Sequence, residues 1–239
     1  MNLKLTALGF LAICGLAMAD ASPNAPKTVE TALTKAYIPL GFDDNDRIQI
    51  AVAGTFKNTC YKVGPHALKV DAESKTITVQ QQAYLYSGVC LQMFVPYSEV
   101  IDVGIIPSGD YKVVDSKSGA KLAELPVKQG TTAGPDDFTY APVSDAYVVK
   151  DEETGKHVLA LSGSFGDRCS DFQDIKINVA NDVIIVQPVL ARKAEISCAP
   201  EKVRFLKTIE LEDTVKEGVY MLHVRSLNGQ AINKLVDLE

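Results

Sequence analysis

The chain has no tryptophan, only three histidines and only five cysteines in 239 residues. Histidine is the usual general base and metal ligand, yet His66, His157 and His223 stand isolated, each on a different predicted strand. They offer neither a triad nor a metal-binding pair. No G-x-S-x-G nucleophile elbow occurs; "SGSFG" at 162–166 is a strand end whose counterpart elsewhere reads "AGTFK". Concentrated positive charge is missing too. Basic and acidic residues nearly balance over 35–126, and acids prevail over 144–239. Neither half has the charge that drives nucleic-acid binding or docking on anionic lipid. These absences point away from an enzyme, and no cofactor is expected.

Long apolar runs are absent except at the start, where Leu5 to Met18 follows Lys4 and Ala17 and Ala19 frame Met18. This is the pattern of a secretory signal over 1–19 with cleavage before Asp20. The run is shorter than the roughly 20 residues a membrane-crossing helix needs, so no transmembrane segment is expected. A rival reading makes Cys14 a lipid-bearing first residue, which would tether the protein. The bulky Ile13 weighs against it, because that motif needs a small residue there. Export to the periplasm or beyond is the expectation.

Removing the signal leaves Cys60, Cys90, Cys169 and Cys198, an even count in an exported chain, which reads as two disulfides rather than a metal site. A repeat selects the pairing. "AVAGTFKNTC" (51–60) returns as "ALSGSFGDRC" (160–169), and "SKSGAKLAEL" (116–125) as "SLNGQAINKL" (226–235). The two gaps between cysteines are 30 and 29 positions, so each copy carries its own pair. Two copies at constant spacing, with no third, indicate duplication of a whole domain and not a solenoid.

Within each copy apolar residues alternate, as in Ile48, Ile50 and Val52 or Ile77 and Val79, which is the period of a half-buried strand. Turn-formers such as Asn181-Asp182 and Asn228-Gly229 separate the runs. About seven strands are expected per copy, over 35–126 and 144–239. A flexible leader with local helix over Thr28 to Lys35 is expected at 20–34, and a Gly, Pro, Thr and Asp-rich linker at 127–143.

At "IIPSGDYKV" (105–113) and "VKEGVYML" (215–222) the chain resembles the tyrosine corner of immunoglobulin-like domains, with Gly109 before Tyr111 and Gly218 before Tyr220. Antibody domains place a Cys two residues past this Tyr; here Val113 and Leu222 stand there, so the resemblance is to the wider bacterial immunoglobulin-like group. It implies an all-β chain of two tandem seven-stranded immunoglobulin-like β-sandwiches. The loop after the second strand and the loop between the fourth and fifth then share a pole, within disulfide reach.

Three places are candidates for function. Tyr84 and Tyr86 share a face by strand alternation, and paired tyrosines near Gln80 to Gln82 resemble surfaces that bind proteins or sugars. Where the first copy reads "QQQAYLYSGVC", the second reads "QPVLARKAEISC", with Arg192 and Lys193. Asp43, Asp44 and Asp46 form a dense oxygen cluster and a weak calcium candidate, with Asp136 and Asp137 as further ligands. No D-x-D-x-D-G loop occurs there, and tight turns use the same residues. The expectation is a non-enzymatic binding protein contacting an envelope protein or polysaccharide. The alternatives are a pilus-type chaperone, on likeness of length and two-domain make-up, or a structural spacer stiffened by calcium.

Overall fold

The structure, a computed structural model, describes residues 25–134, 136–193, 198–211 and 215–239. The expected signal sequence with its Ala17-x-Ala19 site, Cys14 and the expected leader residues 20–24 lie outside the described residues, as does 194–197 of the second cysteine loop. Among the described residues, sixteen strands build two tandem β-sandwiches, accompanied by one 3-10 turn at Leu227–Gly229. No helix among the described residues is long and apolar enough to cross a membrane.

In the first sandwich one sheet runs β1 (Lys27–Thr31), β6 (Thr76–Leu85), β8 (Gly109–Asp115), β9 (Lys121–Lys128) and β3 (Phe42–Asp43), with β5 (Tyr61–Asp71) on the free side of β6. The facing sheet is β2 (Leu33–Tyr37), β4 (Ile48–Phe56) and β7 (Val95–Gly104). The second sandwich pairs β12 (Ser170–Ala180), β13 (Val183–Arg192), β15 (Gly218–Ser226) and β16 (Gln230–Leu238) against β10 (Val143–Lys150), β11 (His157–Asp167) and β14 (Pro200–Glu210). Alternation places Ile48, Ile50, Val52, Ile77 and Val79 in one core, and Leu159, Leu161, Ile184 and Val186 in the other. The sandwiches are not all antiparallel: the fourth long strand lies beside the sixth in parallel, β6 with β8 and β13 with β15, and the short β3 also runs parallel to β9.

Lys27–Thr31 and Leu33–Tyr37 are strands, correcting the helix expected over Thr28 to Lys35. Val29 and Leu33 lie four apart and so suit a helical stripe as well as an alternating strand. Pairing decides: Val29 sits opposite Ala83 on β6 and Leu33 opposite Gly54 on β4. The chain thus changes sheets at Ala32. The end of the expected linker repeats this device. Thr139 O accepts from Leu190 N–H and Ala141 N–H donates to Pro188 O, both at 2.8 Å, before β10 joins the other sheet. Tyr140 and Ala141 are fully buried, so this half of the segment belongs to the second sandwich.

The repeated Gly-x-Phe has a packing reason. Gly54 faces Tyr97 across β4 and β7, and Gly163 faces Phe205 across β11 and β14. A Cβ on Gly54 would fall 2.4 Å from the Tyr97 hydroxyl oxygen, and one on Gly163 2.2 Å from Pro142 O and 2.5 Å from Phe205 Cζ. The glycine leaves room for the opposed ring, which packs on the phenylalanine two residues on: Phe56 to Tyr97 at 4.1 Å, Phe165 to Phe205 at 4.7 Å. Tyr111 is buried and donates its hydroxyl to Pro107 O at 2.9 Å, while Gly109 before it holds a φ of 147°. Tyr220 follows Gly218, also at 147°, into the second core.

The two sandwiches also pack on each other. Tyr37, Ala51 and Ala53 on the outer side of β2 and β4, with Leu40 just past β2, meet Val183, Ile185, Met221 and Leu235 from β13, β15 and β16. Strands β13 and β15 are therefore buried on both faces, and the chain folds into two sandwiches joined by a closed apolar contact.

Candidate interaction site

Both disulfides join the loop after the second long strand to the loop before the fifth, Cys60 to Cys90 and Cys169 to Cys198. In the first domain this builds one pole. The turn Lys57 to Cys60 is organised by Asn58, whose Oδ1 accepts from Cys60 N–H at 3.0 Å. Across from it runs the loop Tyr86 to Phe94, tied down at both ends. Tyr86 N–H donates to Cys60 O at 3.0 Å, Leu91 N–H to Thr59 Oγ1 at 3.0 Å, and Thr59 N–H to Leu91 O at 3.2 Å. A covalent bond and these three hydrogen bonds hold a nine-residue loop in one shape.

What the loop displays is apolar. Val89 is fully exposed at 103% and Phe94 is 77% exposed, with Leu91 and Met93 also outward. Tyr84, near the end of β6, and Tyr86, just past it, are exposed at the same end of the domain. Apolar side chains concentrated on a loop tip are uncommon on a soluble surface, where large apolar patches mark contact sites. Residue-by-residue reading singled out the two tyrosines and missed Val89, Leu91, Met93 and Phe94. The signal was present: four large apolar residues fall between two expected strands, in the segment that carries Cys90.

At the matching pole of the second domain, Asp167 is the organiser. Its Oδ1 accepts from Ser170 Oγ at 2.8 Å, Cys169 N–H at 2.9 Å and Ser170 N–H at 2.8 Å. The Ser170 side chain foremost, with these amides and Arg192, holds its carboxyl below the usual carboxylate range. Arg192 lies 3.3 Å from Asp167 and Arg168 pairs with Glu201, so this pole is polar where the first is apolar.

The acidic cluster is woven into the junction between domains. Asp44 Oδ1 accepts from Gly130 N–H at 2.8 Å, and Asn45 Nδ2 donates to Thr132 O and Gly134 O. Asp46 is buried and takes Arg225 Nη1 and Nη2 at 3.3 Å, with Asp136 Oδ1 at 3.7 Å from Nη1 and Gly41 O at 2.8 Å from Nη2. Burial pushes the Asp46 and Asp136 carboxyls up, and Arg225 pulls both back. Asp43 is raised as well, by burial and then by Asp137. Among the described residues no group of three or more His, Cys, Asp or Glu is arranged to hold a metal.

The histidines stay apart. His66 faces Glu99 at 2.8 Å across the sandwich edge, and His157 opens β11. His223 is buried at the junction, where Nδ1 lies 2.6 Å from Asn233 Oδ1 and Asn233 Nδ2 donates to Gln49 Oε1 at 2.6 Å. Since Asn233 presents its oxygen, Nδ1 carries the proton. Nε2 is left buried without a partner, and burial pushes the imidazole pKa down to about 4.

The fold and these sites define a pair of tandem, disulfide-pinned β-sandwich domains. A family model described as the ORF11 beta-sandwich domain matches residues 50–114, which run from β4 through most of β8 of the first sandwich. No curated protein and no solved structure matches the chain.

Proposed function

We propose that the protein is an exported, non-enzymatic binding protein whose first domain presents its Cys60–Cys90 pole to an envelope component, a protein or a polysaccharide. The observation that carries this reading is the exposure of Tyr84 and Tyr86 beside a loop fixed by a disulfide and three hydrogen bonds. A rigid surface with tyrosines loses little conformational freedom on binding, which favours affinity. Disulfides suit an oxidising compartment and support the export reading. In-cell cross-linking of the tagged protein, run beside a Tyr84→Ser/Tyr86→Ser variant with both disulfides intact, tests it. Loss of a captured envelope component in the variant supports the reading, and unchanged capture removes it.

A second reading, a structural spacer, is favoured by the closed contact between the domains, which fixes their relative placement. Rigidity here comes from apolar packing and Arg225. Asp44, Asn45 and Asp46 already hold the linker backbone and Arg225, so a spacer of this kind does not call on calcium.

A further inference from the structure

We propose that the loop Tyr86 to Phe94 is a membrane-docking prong that inserts its apolar tip into the surface of an anionic phospholipid bilayer. The pole carries three kinds of exposed side chain. The loop displays Val89, Leu91, Met93 and Phe94, with Tyr84 and Tyr86 at its β6 end and exposed Lys27, Lys57 and Lys62 around it. Lys27 pairs in register with Leu85, and Lys62 with Tyr84, which sets both at the root of the loop. Apolar, aromatic and cationic groups on one pole match what a bilayer surface offers: acyl chains, interface and phosphate headgroups.

Charge at this pole favours lipid over other occupants. No aspartate or glutamate occurs from 47 to 70 or from 75 to 98, the segments that build the pole, although the whole chain has a net charge of −6. The carboxylate on the adjoining strand is Glu30, set back opposite Gln82, and Lys117 Nζ donates to its backbone oxygen at 2.7 Å. Asp182 of the second domain is paired with Lys35 at 2.7 Å. Averaging over half the chain conceals this local asymmetry, which is why the sequence-wide balance gave no sign of anionic-lipid docking.

Exposure points the same way. Val89 stands fully clear of the rest of the domain, and a second copy meeting it about a two-fold axis would need a self-complementary patch. Irregular backbone enters a bilayer surface at a cost unless its polar groups are paired. Here Leu91 N–H, Met93 N–H and Leu91 O are all engaged within the pole. The depth required is shallow, at the boundary between headgroups and acyl chains.

This inference goes beyond the envelope contact proposed above: it shares the pole and Tyr84 and Tyr86, and rests chiefly on Val89, Leu91, Met93 and Phe94. Because the chain has no tryptophan, a single Met93→Trp substitution gives a background-free reporter. With phosphatidylcholine vesicles containing about a third phosphatidylglycerol, its emission is expected to shift blue, while Tyr147→Trp on the second domain does not shift. In co-sedimentation, Val89→Ser/Phe94→Ser is expected to reduce partitioning by about tenfold or more. Lys57→Glu/Lys62→Glu should bring binding to anionic vesicles down to the level of pure phosphatidylcholine. Melting temperature and both disulfides serve as the check on folding; all four positions are exposed. Equal sedimentation of the serine variant, or no blue shift at position 93, overturns the proposal. So does a lipid-free dimer, or lipid-free capture of a purified envelope protein, that Val89→Ser/Phe94→Ser abolishes. A Tyr84→Ser/Tyr86→Ser variant that keeps its vesicle binding but captures the same components as wild type removes the proposed contact and leaves the prong standing.

Discussion

At the scale of single residues, the junction between the domains concentrates the polar groups that burial penalises most. Arg225 sits over the Phe42 ring at 5.2 Å and close to two carboxylates, and His223 lies beside it. The groups facing His223 are Arg225, which disfavours its protonation, Asn233, which holds Nδ1, and the edge of the Phe42 ring. With its pKa at about 4 in the fold against an ordinary 6.5, His223 stays neutral when folded but takes a proton when unfolded. Its contribution is therefore fully present above pH 6.5 and is lost as pH falls toward 4, by on the order of 3 kcal/mol. Asp46 and Asp136 have raised pKa values, so they act in the opposite sense, adding stability as the pH falls through their own range. Urea unfolding of wild type and His223→Gln at pH 7 and pH 5 separates these effects. The wild type is expected to lose more stability between the two pH values than the variant, and equal losses would mean His223 is not the buried neutral group described. Nothing in the sequence around His223 announced this environment, because its neighbours Phe42 and Gln49 come from the other domain.

At the scale of elements, much of the architecture was legible. Alternation located the long strands, and the two turns around Asn181 and Asn228 fell where hairpins β12–β13 and β15–β16 reverse. The repeated glycine was visible, but its reason was not, because Tyr97 and Phe205 lie on partner strands whose register sequence spacing does not reveal. That reason makes a prediction. In Gly54→Ala the new methyl meets a ring that is held by stacking on Phe56 and by its hydroxyl, which donates to Ala32 O at 3.1 Å. Destabilisation of about 1–3 kcal/mol is expected, as for other overpacked sites. Gly166→Ala, where nothing lies within 4 Å of the added carbon, is the control and should be near neutral. Denaturant midpoints of the two variants make the comparison, and similar values for both would remove the packing account of the Gly-x-Phe motif. Strand β1 and the start of β2 were missed for the opposite reason: the spacing of apolar residues there suited two structures, and only the pairing chose.

At the scale of the whole molecule, the duplication has diverged where the domains meet. Thr76 and Thr78 of the first copy correspond to Val183 and Ile185 of the second, and Lys112 to Met221. The first copy therefore turns a polar sheet face to solvent, while the second turns the equivalent face, now apolar, onto Tyr37, Ala51 and Ala53. The run Val183-Ile184-Ile185-Val186 was a readable sign of a strand covered on both sides, which alternation in the first copy masked. Two independent substitutions test whether this contact holds the domains together. Met221→Asp places a carboxylate in the apolar contact, and Arg225→Ala leaves Asp46 and Asp136 buried without their cation, at a cost of about 3–5 kcal/mol. Each sandwich keeps its own core and disulfide in either variant, so the expected outcome is separation without unfolding. Small-angle scattering should show a larger radius of gyration, and limited proteolysis should cut sooner within the exposed residues 131–133. If both variants keep the wild-type radius and cleavage rate, the apolar contact and Arg225 do not set the domain arrangement. The prong and its tyrosines would then be carried on an arm whose orientation is fixed by the segment 128–143 alone.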